Sequence, residues 1–570
     1  MRDSQNRKSV IFAVALAISI FSQIVFFHYR AFHSFLFSSI VSNPVSFLAF
    51  YLPKLTVAIL ICSFVFLSKN RLWTVILSFL IDVWIFAELI YFRANAVFLD
   101  PFAITMAGNM KGFWDSIKVL VYAGDWLVLI PTVLLLLIVV FTKAERKRSL
   151  LLFIITLSIG LALHMCTRAV MERQYHSWGE DGRKVQIFIN PFKDYGAIAF
   201  YGASEVYIRE TSVVHSFIFD FIQLCELPFK SNSYTFDESD TFMVSSIVGS
   251  QPVPVTPEGN LIVILFESLE NWAVTPLVTP NIYRFLEGNE NCFWATKIKK
   301  QTKAGTSADG QMIINTGLLP INEGAVCFRY PNNVFPSLSE IYDKSAIIVP
   351  GDLTIWNQGM MNNAYGIDSA FVIHSEADLL TFDTLCDIHD DYQFVMAITM
   401  ASHTPFNDFA EESSLALNAE MPVEMSNYLK CVNYTDACLG PFLEKISTDP
   451  QLQNTTVVIT GDHTIFDINA RARFDDYCKK SGDCYQVRDA FSPLIIYSPN
   501  INSPTVYGVE SYQMDVYPTV LHLIGCSDYY WKGFGINLLD DESVRIFDEE
   551  DAFDLSDKLI RSNYFEKVTR

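Results

Sequence analysis

Basic charge is scarce in this chain. Lys and Arg number 41 against 62 Asp and Glu, a formal net charge of −21 over 570 residues. Nucleic acid is therefore excluded as a partner, because a phosphate backbone demands a positive face. The same surface is poorly suited to lying flat on anionic lipid. Paired CxxC motifs are absent, which removes the usual basis for a cysteine zinc site. There is no internal repeat and no low-complexity tract, so repeat-array and tail-like readings fall away. The first apolar segment has no convincing small-residue cleavage site and is followed by more apolar segments, so it does not read as a removable signal peptide.

Long apolar runs, by contrast, are abundant. The composition is 51% hydrophobic with 46 Phe, and residues 8–166 hold most of the long runs. Five segments approach the roughly 20 residues that span a bilayer core. They are 9–28, 46–67, 72–92, 125–142 and 149–166. Arg2, Arg7 and Lys8, then Lys69 and Arg71, then Lys143, Arg146, Lys147 and Arg148 all fall on one side if every segment spans. Positive residues in short loops mark the cytoplasmic side. The N-terminus is thus expected inside, and everything after residue 166 outside, in the periplasm or extracellular space. Nine of the 11 Cys follow the last segment, and Cys478 with Cys484 could close a small loop in such an oxidising compartment.

Residues 1–166 read as a transmembrane domain and 167–258 as a juxtamembrane linker with helical pieces, for example at 195–222. The loop 93–124 is apolar and aromatic, as an interfacial helix would be. QPVPVTPEG (251–259) is a Pro-rich linker. From 259 to 570 the pattern is that of a globular domain. NLIVILFESLENW, SAIIVPGD, QFVMAITMASH and TTVVITGDH are short apolar runs that end in polar or ionisable residues. Helical patterns such as 426–447 lie between them. Strands alternating with helices imply an α/β fold with a largely parallel sheet. Ligands in such sheets bind beyond the carboxyl ends of the strands.

Three strand ends deliver Glu267, His403 and the pair Asp462–His463 to that edge. Carboxylate and imidazole together suit a divalent ion of the Zn or Mn type. AGTSADGQMIINTG (304–317) adds Thr306 and Ser307 in a Gly-preceded turn at a helix start, directly after the basic stretch KIKKQTK. A helix N-terminus accommodates an anion, and Ser or Thr there is equally a good cap. Asp309 reads as a first-turn acid. Glu270 reads either as a helix-start acid or as a support for the site.

In this order, ILFESLENW, AGTSADGQ, GDLTIWNQGMM with AYGID, MAITMASHTPF, VVITGDH and YQMDVYPTVLHLIG behind five apolar segments resemble the lipoteichoic acid synthase group. These are membrane phosphoglycerol transferases of the sulfatase/alkaline phosphatase superfamily. The resemblance implies an extracytoplasmic alkaline-phosphatase-like domain and a phosphatidylglycerol-type phospholipid donor. It implies Thr306 as nucleophile, a covalent phospho-threonine, and a glycan or lipid acceptor. Glu267, Thr306, Asp462 and His463 would hold one metal ion, manganese being expected and zinc or magnesium alternatives. His403 would contact the transferred phosphate or the acceptor, and Trp356 would line the head-group pocket. Gln358 stands where the group carries Arg, so Lys303, Lys300 or Lys299 is asked to supply the missing cation. The alternatives are a phosphoethanolamine transferase of the same superfamily, to which the GTSAD order is similar, and a phosphodiesterase or sulfatase-like hydrolase. A sulfatase would need a Cys/Ser-x-Pro-x-Arg context that GTSADGQ lacks.

Overall fold

The computed structural model describes residues 2–32, 44–95, 98–99, 102–103, 117–118, 120–142, 148–175, 212–214, 238–249, 255–321, 324–466, 468–483 and 485–569. Most of 93–124 and of 195–222, and also Cys484, lie outside these residues, as do the expectations placed on them. The chain divides into two compact units. One comprises Met1–Pro101 with Ile117–Phe229, the other Phe102–Ser116 with Lys230–Arg570.

The first unit is helical. Its long helices are α1 (Arg2–Phe32), α2 (Pro44–Ser63), α3 (Leu72–Asn95), α4 (Ile130–Thr142, entered through a 3-10 turn at Ala123–Leu129) and α5 (Leu150–Tyr175). Five stretches are long and apolar enough to cross a membrane by length and composition: Ser9–Ala31, Phe50–Leu67, Leu72–Arg93, Ala123–Thr142 and Leu150–Thr167. Side chains such as Leu134, Phe141 and Leu151 are exposed, as expected where lipid is the solvent. Polar groups turn inward instead. Gln23, Ser78 and Thr132 hydrogen-bond one another between α1, α3 and α4. Bonds of that kind join helices where apolar side chains gain little by leaving lipid.

The second unit is built on a nine-stranded sheet. The strands are β1 (Asn260–Phe266), β2 (Cys292–Lys299), β3 (Ser345–Pro350), β4 (Ser369–Ile373), β5 (Phe394–Ile398), β6 (Thr455–Gly461), β7 (Phe491–Tyr497), β8 (Thr505–Tyr507) and β9 (Ser511–Tyr512). Their order is β4-β3-β5-β1-β6-β7-β2-β8, with β9 beside β2. The first five in this order run parallel, whereas β7 is antiparallel to both β6 and β2. β1 is central and apolar throughout, and six of its seven residues are buried, as befits a strand covered on both faces.

Register then fixes the site. β5, β1 and β6 are adjacent, with Leu265 opposite Ile398 and Phe266 opposite Gly461. Neighbouring strands lie about 4.8 Å apart. The residues following each strand therefore emerge side by side, and those residues are Glu267, the 399–403 turn, and Asp462–His463. A helix from the turn after β2, α6 (Thr306–Thr316), closes the group. It ends at Gly317 in the left-handed conformation, whose N–H returns to Ile313 O at 2.8 Å.

Candidate active site

Glu267, Asp462 and His463 each offer one ligand atom within 4.8 Å of the others, and all three are buried. Each is aimed by its neighbours. The Glu267 N–H donates to Thr399 Oγ1 (2.9 Å), and its Oε1 accepts from Ser268 Oγ (2.6 Å). Asp462 Oδ1 accepts from the N–H of Ser268 and of His463, both at 2.8 Å. His463 turns Nδ1 toward Thr464 O (3.4 Å), which presents Nε2 to Glu267 Oε1 (3.5 Å) and Asp462 Oδ2 (3.6 Å). Burial, reinforced by the charge of Asp462, holds the Glu267 carboxyl well above its ordinary range. Two buried carboxylates and an oriented imidazole form a donor set deficient in positive charge. A divalent cation fits it chemically.

Of the two adjacent hydroxyls at the start of α6, that of Ser307 reaches the triad. Its Oγ lies 3.2 Å from His463 Nε2 and 3.4 Å from Glu267 Oε2. Among the described residues, the Thr306 hydroxyl has no hydrogen-bond partner. Thr306 instead carries the unusual backbone, with φ of 38°. Ser268, Trp356, Asn357 and Phe406 are also non-glycine residues at positive φ. The loops around one sheet edge thus concentrate strained residues, each of which costs roughly 1–3 kcal/mol and persists only where its surroundings over-determine it.

For the Thr306 turn the surroundings are identifiable. Asp309 Oδ2 accepts the N–H of Lys303 (2.8 Å) and of Gly305 (3.0 Å). The carboxylate expected to be a first-turn acid is a clasp on the Thr306 turn. Burial raises it from 3.8 to about 7. A Cβ on Gly305 would stand 2.1 Å from Asp309 Oδ1, and one on Gly310 would stand 2.4 Å from Asp462 O. Glycine at 305 permits the clasp, and glycine at 310 lets α6 pack against the ligand loop.

Glu270 is a support for the site. Its side chain has no exposed surface and accepts from Trp272 Nε1 (2.6 Å), Ile465 N (3.1 Å) and Arg471 Nη2 (2.6 Å). Arg471 also donates to Phe466 O and Val487 O. This buried pair ties the loop after β1, which carries Glu267, to the loop after β6, which carries Asp462 and His463. Arg471 belongs to no motif and lies 201 residues from Glu270, so only the fold reveals it.

His403 lies near the triad. Its pKa is pushed down to about 4, chiefly by burial and secondarily by His463, and its Nδ1 is 2.6 Å from Thr404 O. It is a neutral imidazole. Of the three lysines considered, Lys300 reaches the ligand loop, with Nζ 3.4 Å from Thr464 O. Burial and the Arg471 guanidinium push its pKa down to about 8. Lys303 Nζ lies 3.8 Å over the Phe553 ring, and Lys299 faces Glu549 at 3.9 Å. Trp356 packs against Phe328, and the Gln358 amide bonds Asn362 Oδ1 (2.8 Å). Neither Trp356 nor Gln358 hydrogen-bonds the triad among the described residues. Cys478 is buried on α7 (Ile468–Ser481).

Comparison with known proteins agrees with this architecture. The family model described as lipoteichoic acid synthase N-terminal domain matches residues 1–177, and the sulfatase model matches 316–526. Lipoteichoic acid synthase 1 of Bacillus subtilis (strain 168) is 21% identical over 512 residues, covering 82% of this chain and 76% of that protein. The lipoteichoic acid synthase-like YvgJ of the same organism is 24% identical over 534 residues, covering 87% and 81%. The crystal structure of the lipoteichoic acid synthase LtaP from Listeria monocytogenes superposes with a TM-score of 0.46 at 19% identity, covering 57% of this chain and 97% of that one. The two family models fall in sequence on the helical region and on residues 316–526 of the sheet unit, and the chain is similar to lipoteichoic acid synthases over most of its length.

Proposed function

We propose that this chain is a membrane-bound, metal-dependent transferase that moves a phosphoglycerol head group from a phosphatidylglycerol-type lipid to a glycan or lipid acceptor. The observation that carries the proposal is the buried Glu267–Asp462–His463 triad beside a strained hydroxyl-bearing turn. Glu267, Asp462, His463 and the Thr306 hydroxyl would hold the ion, manganese first among Mn²⁺, Zn²⁺ and Mg²⁺. When bound, the ion supplies charge neutralisation for the phosphoryl oxygens and acidifies the hydroxyl.

The chain's own residues do the rest. Thr306 Oγ1 attacks phosphorus, and the bond from phosphorus to the diacylglycerol oxygen breaks as the new O–P bond forms. Diacylglycerol leaves with the proton. The acceptor hydroxyl then attacks the phospho-threonine and the Thr306 Oγ1–P bond breaks; the acceptor's proton passes to His403, a neutral base at neutral pH, and from it to Thr306 Oγ1, restoring both side chains. Lys300 places a positive charge under the loop that carries Asp462 and His463. The positive residues in the short loops support a cytoplasmic N-terminus and a sheet unit outside the cytoplasm, where such a lipid would be reached from the outer leaflet.

A phosphoethanolamine donor is the second reading. Gln358 favours it, being neutral where the group's pocket carries Arg. The experiment is the intact mass of full-length protein incubated with Mn²⁺ and both phospholipids, beside Thr306→Ala. A phosphoglycerol-sized adduct that is absent from Thr306→Ala supports the first reading. A phosphoethanolamine-sized adduct replaces it with the second, and an adduct that survives in Thr306→Ala refutes the nucleophile.

A further inference from the structure

The helical unit contains an ion cluster unrelated to the triad. Asp125, 1% exposed, stands where the chain enters the fourth span, and both Arg30 near the end of α1 and Arg93 near the end of α3 converge on it. Arg93 alone satisfies this carboxylate in the usual forked manner. Its Nη1 lies 2.6 Å from Oδ2 and its Nη2 2.9 Å from Oδ1. Arg93 Nη1 also donates to Leu120 O (2.7 Å), and its guanidinium stacks on the Tyr122 ring. The Tyr122 N–H takes up Oδ2 further (2.9 Å).

Arg30 is therefore surplus. Its Nε and Nη2 crowd onto the same Oδ1 at 2.9 and 2.8 Å. No other carboxylate pairs with either arginine among the described residues, so these described residues carry one positive charge in excess. The opposite edge of the Arg30 guanidinium is differently placed. Nη1 has no hydrogen-bond partner among the described residues, and the side chain is 16% exposed. The backbone beside it is Gly124, where even a Cβ would come within 3.4 Å of Nη1. Trp126, two residues on, is 55% exposed, as aromatic residues are at a membrane interface. An unbalanced charge at the end of a membrane bundle is costly unless an anion meets it. A guanidinium with one edge on a carboxylate can grip a phosphate with the other.

We propose that Arg30, held by Asp125 and flanked by Gly124, binds the phosphate of a lipid carrying net negative charge at this end of the bundle. The bound group is a phosphodiester, and its source is the membrane rather than free phosphate. The assignment rests on the membrane placement of the helices and not on transfer chemistry.

The test uses full-length protein with Thr306→Ala, so that no lipid is turned over. Native mass spectrometry in detergent would count retained lipid when phosphatidylglycerol or phosphatidylcholine is titrated in, with and without excess glycerol phosphate. Arg30→Gln leaves the neutral Arg93–Asp125 pair intact. It is expected to lose one equivalent of phosphatidylglycerol, weakening that step at least about five-fold. Arg30→Lys keeps the charge without the fork, and it is expected to retain part of the binding and guards against loss of fold in the Arg30→Gln variant. Equal retention with and without the Arg30→Gln change overturns the proposal, as does equal uptake of phosphatidylcholine. Displacement by glycerol phosphate overturns the lipid assignment. Failure of the transferase reading would show instead as no adduct at Thr306 in the otherwise unmodified protein.

Discussion

Asp309→Asn should make the sheet unit more stable at alkaline pH and remove a large part of its pH dependence. The Asp309 carboxyl is 2% exposed, and burial raises its pKa from 3.8 to about 7. The folded value exceeds the unfolded one, so the group's contribution is fully present below about pH 4 and is lost as pH rises through about 7. A rise of roughly three units at about 1.36 kcal/mol each bounds the loss at about 4 kcal/mol. Of this, about 3 kcal/mol falls between about pH 5 and pH 8. Asparagine is neutral in both states and still offers one oxygen to the N–H groups of Lys303 and Gly305.

Pulse proteolysis of full-length protein across a urea series, at several pH values, measures the difference. Glu340 and Asp378 are also raised by burial, to about 7 and about 6, so only the variant-minus-parent difference isolates Asp309. That difference should grow in favour of Asn by about 3 kcal/mol over the interval. A difference constant to within about 0.5 kcal/mol would refute the reasoning, because a clasp already ionised near pH 4 would behave that way. Asp309→Ala supplies the contrast. It leaves two N–H groups without an acceptor, at about 1–3 kcal/mol each, and should lose adduct formation as well as stability.

Gly305→Ala should cost adduct formation far more than stability, since a Cβ 2.1 Å from Asp309 Oδ1 displaces the clasp at the Thr306 turn; a near-wild-type rate would show that the clasp is dispensable. Glu270→Gln and Arg471→Met should each destabilise by about 3–5 kcal/mol in denaturant unfolding by leaving a buried charge unpaired, whereas the double change should recover much of the loss. Thr306→Ala should weaken divalent-ion binding in calorimetry and form no phosphoryl adduct, while Ser307→Ala should still form the adduct; an adduct lost in Ser307→Ala and kept in Thr306→Ala would make Ser307 the nucleophile. Saturating Mn²⁺ at about 100 times its dissociation constant should stabilise the parent by about 2.7 kcal/mol and Glu267→Gln by much less, read from the shift in unfolding midpoint.

The residues that could be read from sequence and those that could not differ in the range of the interactions that place them. β1, β3, β5 and β6 were legible because each is a continuous apolar run, and their polar terminators named Glu267, His403 and Asp462–His463 directly. β2 and β7 were not, because Trp294, Thr296 and Lys297 interrupt the first and Ser492 and Pro493 the second; the antiparallel side of a sheet tolerates such mixtures. Thr306 was legible as a hydroxyl at a helix start, but the identity of the hydroxyl that faces the triad depends on the backbone twist at 306 and on the approach of α6, permitted by Gly310. A helix-start acid and a turn clasp have the same sequence signature, so Asp309 was assigned the commoner role. Glu270 could be described only as one of two kinds of group until Arg471 came into contact with it. The sequence thus names groups whose chemistry is local to a strand end, whereas what holds those groups in place lies in pairings between loops 201 residues apart. The two predictions on Asp309 and on Glu270 with Arg471 therefore probe what the fold adds beyond the motifs: one clasp acting across six residues and one across 201.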